Sequence, residues 1–224
     1  MTPTLHQGQR VVAGGSALGD AQAAFILIHG RGASAESILG LGRALDPPAG
    51  LAFLAPQAYH ATWYPSSFLA PLAQNEPWLS SALEAVGAVV QQVLDAGLPA
   101  ERLIIGGFSQ GACLSLEYAA RHPQRYGGVV ALSGGLIGNG ERAGVSVPED
   151  KTFTYEAALA GTPVFLGCSD IDPHIPEARV RRSAEVMAHL GADVDLRIYP
   201  GLGHTVNADE LTYLRETLLP LVLD

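Results

Sequence analysis

The sequence predicts an α/β fold with a mostly parallel sheet and helices on both of its faces. Three observations carry that expectation. Short, unbroken apolar runs recur along the 224 residues, and such runs suit strands buried on both faces. Amphipathic stretches lie between them. The two kinds of segment alternate, which is the chain order of a parallel sheet with crossover helices.

The elements follow in order. Val11 and Val12 before Gly14-Gly15 suggest an antiparallel edge hairpin. Ala24–His29 (AFILIH) is the first continuous apolar run and ends at Gly30. Ala35–Leu45 spaces Ile38, Leu41 and Leu45 at helical intervals. Leu51–Ala55, stopped by Pro56, is the next strand. Ser80–Ala96 places Leu83, Val86, Val90 and Leu94 on one helical stripe, with Ser80 or Ser81 as its cap and Glu84 in its first turn. Leu103–Gly107 is a strand, and the helix Gln110–Arg121 follows it directly and ends near Pro123. Gly128–Leu132, Val164–Gly167 and Val194–Tyr199 supply three more strands, and Glu177–Leu190 and Asn207–Leu219 the last two helices.

Two stretches break the alternation. Gln57–Pro77 carries Trp63, Tyr64, Phe68 and several prolines, and Gly134–Gly161 is glycine-rich and charged. Loops this long inside a compact domain are usually functional or mobile. The length suits one domain over residues 1–224.

Composition narrows the function classes. Hydrophobic residues make up 48% and charged residues 16%, a globular balance. The net charge of −9 disfavours nucleic acid and anionic membrane surfaces as partners. No apolar run approaches the length of a membrane span, and no secretory signal is visible, so the cytoplasm is the expected compartment. Cys113 and Cys168 each sit in an apolar context and are expected as buried free thiols rather than as a disulfide framework.

The motif that carries chemistry is Gly107-Phe108-Ser109-Gln110-Gly111, a G-x-S-x-G pattern. The five residues alone are weak. The strand before them and the helix after them supply the strand–turn–helix setting of a nucleophile elbow. A sharp turn exposes the Ser109 hydroxyl, and glycines at 107 and 111 leave room where strand and helix pack closely. Serine needs a general base. In this architecture the order is serine, acid, histidine, the histidine following the last strand. His204, in Pro200-Gly201-Leu202-Gly203-His204, meets that condition; His6, His60, His122 and His189 do not. The acid should follow the preceding strand, where Cys168-Ser169-Asp170-Ile171-Asp172-Pro173 offers both Asp170 and Asp172; the other would be a turn residue. His29-Gly30-Arg31-Gly32 ends an early strand, the place of the second oxyanion donor. The backbone N–H groups of Arg31 and Gln110 are the expected pair. His29 is expected to brace this loop. Trp63, Tyr64 and Phe68 are expected to line or cover an acyl pocket. No H-E-x-x-H or clustered Cys/His spacing marks a metal site.

Taken together, His29-Gly30-x-Gly32, Gly107-Phe108-Ser109-Gln110-Gly111, Asp172-Pro173-x-x-Pro176 and Gly203-His204 resemble the phospholipase/carboxylesterase family of α/β-hydrolases, which includes the acyl-protein thioesterases. The resemblance spans nearly the whole chain. It implies hydrolysis of carboxylic esters or thioesters without a cofactor, and it favours Asp172 over Asp170 as the acid. Three positions depart from the family pattern: Arg31 and His174 stand where apolar residues are common, and Ala112 where a second glycine is usual. Arg31 is expected to point to solvent; turned inward, it could attract an acidic substrate group. The expected substrate is a small-molecule acyl ester. A homodimer would need an apolar patch on the two long loops, and none is legible. Two other readings share the fold: a dienelactone-type or C–C bond hydrolase, the former commonly with cysteine at the elbow, and a catalytically silent binding module, against which the ordered serine, acid and histidine weigh.

Overall fold

The computed structural model describes residues 4–141 and 151–223. Its centre is a seven-stranded sheet built from β1 (Val11–Gly15), β2 (Ala23–Ile28), β3 (Leu51–Pro56), β4 (Leu103–Phe108), β5 (Gly128–Leu132), β8 (Pro163–Ser169) and β9 (Asp193–Tyr199), in the spatial order β1-β3-β2-β4-β5-β8-β9. Every neighbouring pair is parallel except β1 with β3. The antiparallel edge is therefore present, but not as a hairpin: β1 pairs with β3, with β2 and a helix between them in the chain. A short ribbon, β6 (Gly140–Glu141) with β7 (Lys151–Thr152), lies inside the second long loop and has no signature in the sequence.

The unbroken apolar runs have a physical reason. Successive residues of a strand face opposite sides of the sheet, and here both sides are core. In β2, Ala24, Ile26 and Ile28 join one cluster, while Ala23, Phe25 and Leu27 join the other. The first cluster is closed by α3 (Trp78–Asp95), α4 (Gln110–Arg121) and α5 (Glu177–His189), through residues such as Val86, Leu114 and Val180. The second is closed by α1 (Ala35–Ala44) and the C-terminal helical stretch, through Ile38, Leu39, Leu214 and Leu218. Each fully buried large side chain of β2 contributes roughly 1.5–3 kcal/mol by leaving water.

Helix boundaries differ from expectation in two places. The helix α3 begins at Trp78, so Ser80 and Ser81 lie inside it and do not cap it. The Glu76 carboxylate accepts from Ser80 N at 3.1 Å and from Ser80 Oγ at 2.9 Å, doing the work of a cap from outside the helix. Glu76 itself follows a four-residue helix, α2 (Leu72–Asn75), in the stretch expected to be irregular. At the C-terminus, Asn207 caps α6 (Ala208–Tyr213) in a capping box with Glu210, and a π-helical turn (Leu214–Leu218) leads into α7 (Leu219–Leu223).

In a parallel sheet of this kind, loops at the C-terminal strand ends gather at one edge. Those after β2, β4, β8 and β9 hold His29–Gly32, Ser109, Asp172 and His204 respectively.

Candidate active site

Ser109 sits between β4 and α4 with φ +57° and ψ −116°. This is a conformation that non-glycine residues rarely adopt. Its N–H donates to Leu132 O at 2.9 Å, which fixes the turn to the neighbouring strand. The flanking glycines are steric necessities: a Cβ at Gly107 would lie 2.3 Å from Ile28 O, and one at Gly111 only 2.0 Å from the same oxygen. The elbow is wedged against the end of β2, so the serine and the His29–Gly32 loop share one rigid support. Ala112, the departure from the usual glycine, is fully buried and faces Gly134, where a Cβ would come within 2.4 Å of its own.

The Ser109 hydroxyl lies 2.9 Å from His204 Nε2, and His204 Nδ1 lies 2.7 Å from Asp172 Oδ2. The Asp172 side chain has no exposed surface; that of His204 is 19% exposed, open on the side where a substrate would arrive. The other Asp172 oxygen accepts from the amides of His174 (2.8 Å) and Ile175 (3.1 Å). Burial by itself would raise the carboxyl pKa. The bonds from His204 and the two amides outweigh it and hold Asp172 below the ordinary carboxylate value. An ionised, immobile acceptor fixes the imidazole with its proton on Nδ1, leaving Nε2 free to accept from serine.

Asp170 has a different place. Its Oδ1 accepts from Gly201 N at 2.8 Å, while Ser169 Oγ accepts from Gly203 N at 3.0 Å. Both tie the β8 end to the loop that carries His204. Of the two carboxylates that the sequence offers, Asp172 meets the histidine and Asp170 holds its loop.

The amide of Gln110 opens α4, where first-turn N–H groups lack intrahelical acceptors. The Arg31 amide stands in the loop after β2 beside Gly30, whose own Cβ position would lie 3.5 Å from Ser109 Cβ. His29 is fully buried, with Nδ1 2.7 Å from Gly30 O and Nε2 accepting from Ala58 N at 3.1 Å. Burial lowers its pKa, so it braces the loop as a neutral ring.

A cavity of about 530 Å³ opens above Ser109, and Tyr64, Phe68, Phe108, Cys113, His174 and Ile175 form much of its wall. Two aromatics expected there, Tyr64 and Phe68, line it. Trp63 does not. Its ring is fully buried behind the wall, its indole N–H donates to His29 O at 2.9 Å, and it packs between the imidazoles of His6 and His29 at 5.4 and 5.1 Å. Arg31 is exposed, as expected, but not free. Its side chain does not simply extend into solvent: it lines the cavity mouth and donates to Pro65 O (2.7 Å) and Ser66 O (2.6 Å). His174 lines the cavity too, edge-on to His204 at 4.9 Å.

Sequence reasoning missed the side chains that hold the walls. Gln110 accepts from Trp63 N and donates to Tyr64 O, both at 2.8 Å. Asn75, fully buried, accepts from Ser66 N and donates to Ser67 O. With Arg31, these side chains take up the backbone groups of residues 63–67, so this stretch is fixed rather than loose. Glu117 does the same for the second loop. Its buried carboxylate accepts from Ile137 N (3.0 Å), Gly138 N (2.9 Å) and the Tyr155 hydroxyl, and pairs with Arg121 at 2.6 Å. The available signal was an acid inside the apolar run Leu114–Ala120. Residues 142–150 of that loop lie outside the described ones. The thiols are free and buried; burial pushes both Cys113 and Cys168 up to about 12, which leaves them protonated.

Among the described residues no helix is long and apolar enough to cross a membrane, and the exposed large apolar side chains, Val11, Ile171 and Leu221, lie on separate elements rather than on the long loops.

A sequence profile described as phospholipase/carboxylesterase matches residues 8–220. A phospholipase/carboxylesterase from Dyadobacter fermentans shares 38% identity and superposes with a TM-score of 0.85, covering 98% of this chain and 100% of that one. Acyl-protein thioesterase 1 of Gibberella zeae is 35% identical over 136 residues, 59% of this chain and 55% of that protein. The protein of the same name from Saccharomyces cerevisiae is 31% identical over 138 residues, 58% and 55%. The chain thus spans about half the length of these curated relatives.

Proposed function

The chain belongs to the phospholipase/carboxylesterase family, and we propose that it is a serine hydrolase that cleaves carboxylic esters of small to medium acyl groups through an acyl-enzyme. The observation that carries this reading is the unbroken bond chain from Asp172 through His204 to the Ser109 hydroxyl, at 2.7 and 2.9 Å. The cavity beside it supports an acyl pocket walled by Tyr64 and Phe68.

The chemistry follows from the placement. Ser109 Oγ attacks the acyl carbonyl as His204 Nε2 takes its proton. Asp172 steadies the imidazolium that forms. The carbonyl oxygen becomes an oxyanion directed at the amides of Arg31 and Gln110; such donors can each contribute about 3–4 kcal/mol to the transition state. Collapse breaks the bond to the leaving oxygen, which takes the proton from His204. A water then repeats the sequence: His204 removes its proton, the hydroxyl adds to the acyl carbon, and Ser109 leaves with the proton returned. A thioester would follow the same path with a thiol leaving, and the acyl-protein thioesterases among the relatives make thioesters the natural second substrate class.

The test is a panel of p-nitrophenyl esters and acyl thioesters graded by acyl length, run with wild type and Ser109→Ala. Turnover of short to medium esters, lost by roughly a thousandfold or more in Ser109→Ala, is the expected outcome. Activity retained within a few-fold would refute the assignment.

A further inference from the structure

The chain carries 22 acidic against 13 basic side chains, yet the catalytic cavity is charged the other way. Among the described residues no Asp or Glu lines it, since Asp172 is sealed behind His204, and Arg31 is the single Lys or Arg there. The Arg31 guanidinium is held in place by main-chain oxygens, Pro65 O and Ser66 O, and lies 5.9 Å from the centre of the Tyr64 ring. It reaches no carboxylate among the described residues, although Arg10, Arg121, Arg181, Arg182, Arg197 and Arg215 each do. These two bonds use two of its five N–H groups. The others belong to a positioned cation at the mouth of the cavity that no described carboxylate neutralises. Arg31 and Ser109 line the same cavity, so the guanidinium shares that cavity with the nucleophile.

We propose that Arg31 selects esters carrying a carboxylate a few atoms from the scissile carbonyl. This rests on the hydrolase reading of the site. A planar guanidinium suits a carboxylate because two parallel N–H bonds meet its two oxygens. Pre-set by the loop, it gives up little side-chain freedom on binding. Among the described lining residues an anionic substrate meets no like charge.

The experiment compares matched ester pairs. On the acyl side, mono-p-nitrophenyl glutarate is set against p-nitrophenyl valerate. On the alcohol side, 4-butyryloxybenzoate is set against phenyl butyrate. The readout is the ratio of kcat/KM within each pair, for wild type, Arg31→Gln and Arg31→Lys. In wild type one pair favours its carboxylate member by about tenfold or more, the scale of a charge-assisted bond at a partly exposed site. That preference shrinks with added salt, disappears in Arg31→Gln and is partly kept in Arg31→Lys. Equal ratios in wild type and Arg31→Gln would overturn the proposal, whatever happens to absolute rates, because a residue that only props the loop slows both members alike. Wild type that favours neither carboxylate would overturn it too. Should wild type hydrolyse no ester at all, or Ser109→Ala retain the activity, the hydrolase reading itself has failed.

Discussion

Glu210 is a buried acid outside the catalytic set, and its replacement by glutamine has a size that can be worked out. Glu210 is fully buried, and its Oε1 has no hydrogen-bond partner among the described residues. Its Oε2 accepts from Asn207 N at 2.8 Å in the capping box of α6. A Cβ added at Gly167 would lie 2.1 Å from Oε1, so the carboxyl presses directly on β8. Burial is the main cause that pushes its pKa from 4.5 up to about 7, with Asp209 adding to it and the Asn207 amide opposing. The unfolded chain ionises near 4.5 and the folded one only near 7. Between those values the folded state holds the proton more tightly, so stability falls as pH rises through this window and is level above it. At about 1.4 kcal/mol per pH unit, the full cost above pH 7 is about 3 kcal/mol, and at pH 5 it is under about 1 kcal/mol. Glutamine keeps an oxygen for the Asn207 amide and removes the charge. Any change in packing is the same at both pH values. Urea unfolding at pH 5 and pH 8 measures the difference directly: Glu210→Gln gains about 2–3 kcal/mol more, relative to wild type, at pH 8 than at pH 5. A mutant-to-wild-type difference equal at the two pH values would refute the reasoning.

Other outcomes follow from the same contacts. Asp172→Asn lowers kcat by roughly a thousandfold to ten-thousandfold by offering His204 the wrong hydrogen-bond partner. Asp170→Asn, which only weakens the bond to Gly201 N, stays within about tenfold; the reverse order in steady-state assays would exchange their roles. Because Asp172 is held below the ordinary carboxylate value, the stability it contributes is present above that value and is lost as pH falls through its lowered pKa. Acid unfolding of Asp172→Asn should therefore lack that part of the wild-type drop. Gly111→Ala sets helix propensity against sterics: propensity alone would add about 1 kcal/mol. The Cβ placed 2.0 Å from Ile28 O instead predicts destabilisation by more than about 3 kcal/mol, read by thermal or urea unfolding.

The central strands were legible because burial on both faces of a parallel sheet leaves no polar residue to blur them, as Ala24–Ile28 shows. The elbow was legible because Gly107 and Gly111 are demanded by contacts with Ile28. What could not be read depended on partners distant in sequence. The pairing of β1 with β3 instead of β2 is a tertiary choice. The start of α3 at Trp78 is set by a carboxylate outside the helix. Trp63 and Tyr64 are adjacent, and nothing in their composition says that one is sealed against His29 while the other faces the cavity. The side chain of Gln110 lay inside the very motif that was recognised, yet its hold on residues 63 and 64 emerges only from the fold. Arg31 was visible as a departure, and its direction was not.

In the proposed mechanism Ser109 becomes covalently acylated. The most direct measurement is intact-protein and peptide mass spectrometry after reaction with a fluorophosphonate. One adduct per chain is predicted, on the peptide containing Ser109, absent from Ser109→Ala and slowed in His204→Ala. An adduct on another residue, or one that persists in Ser109→Ala, would contradict it.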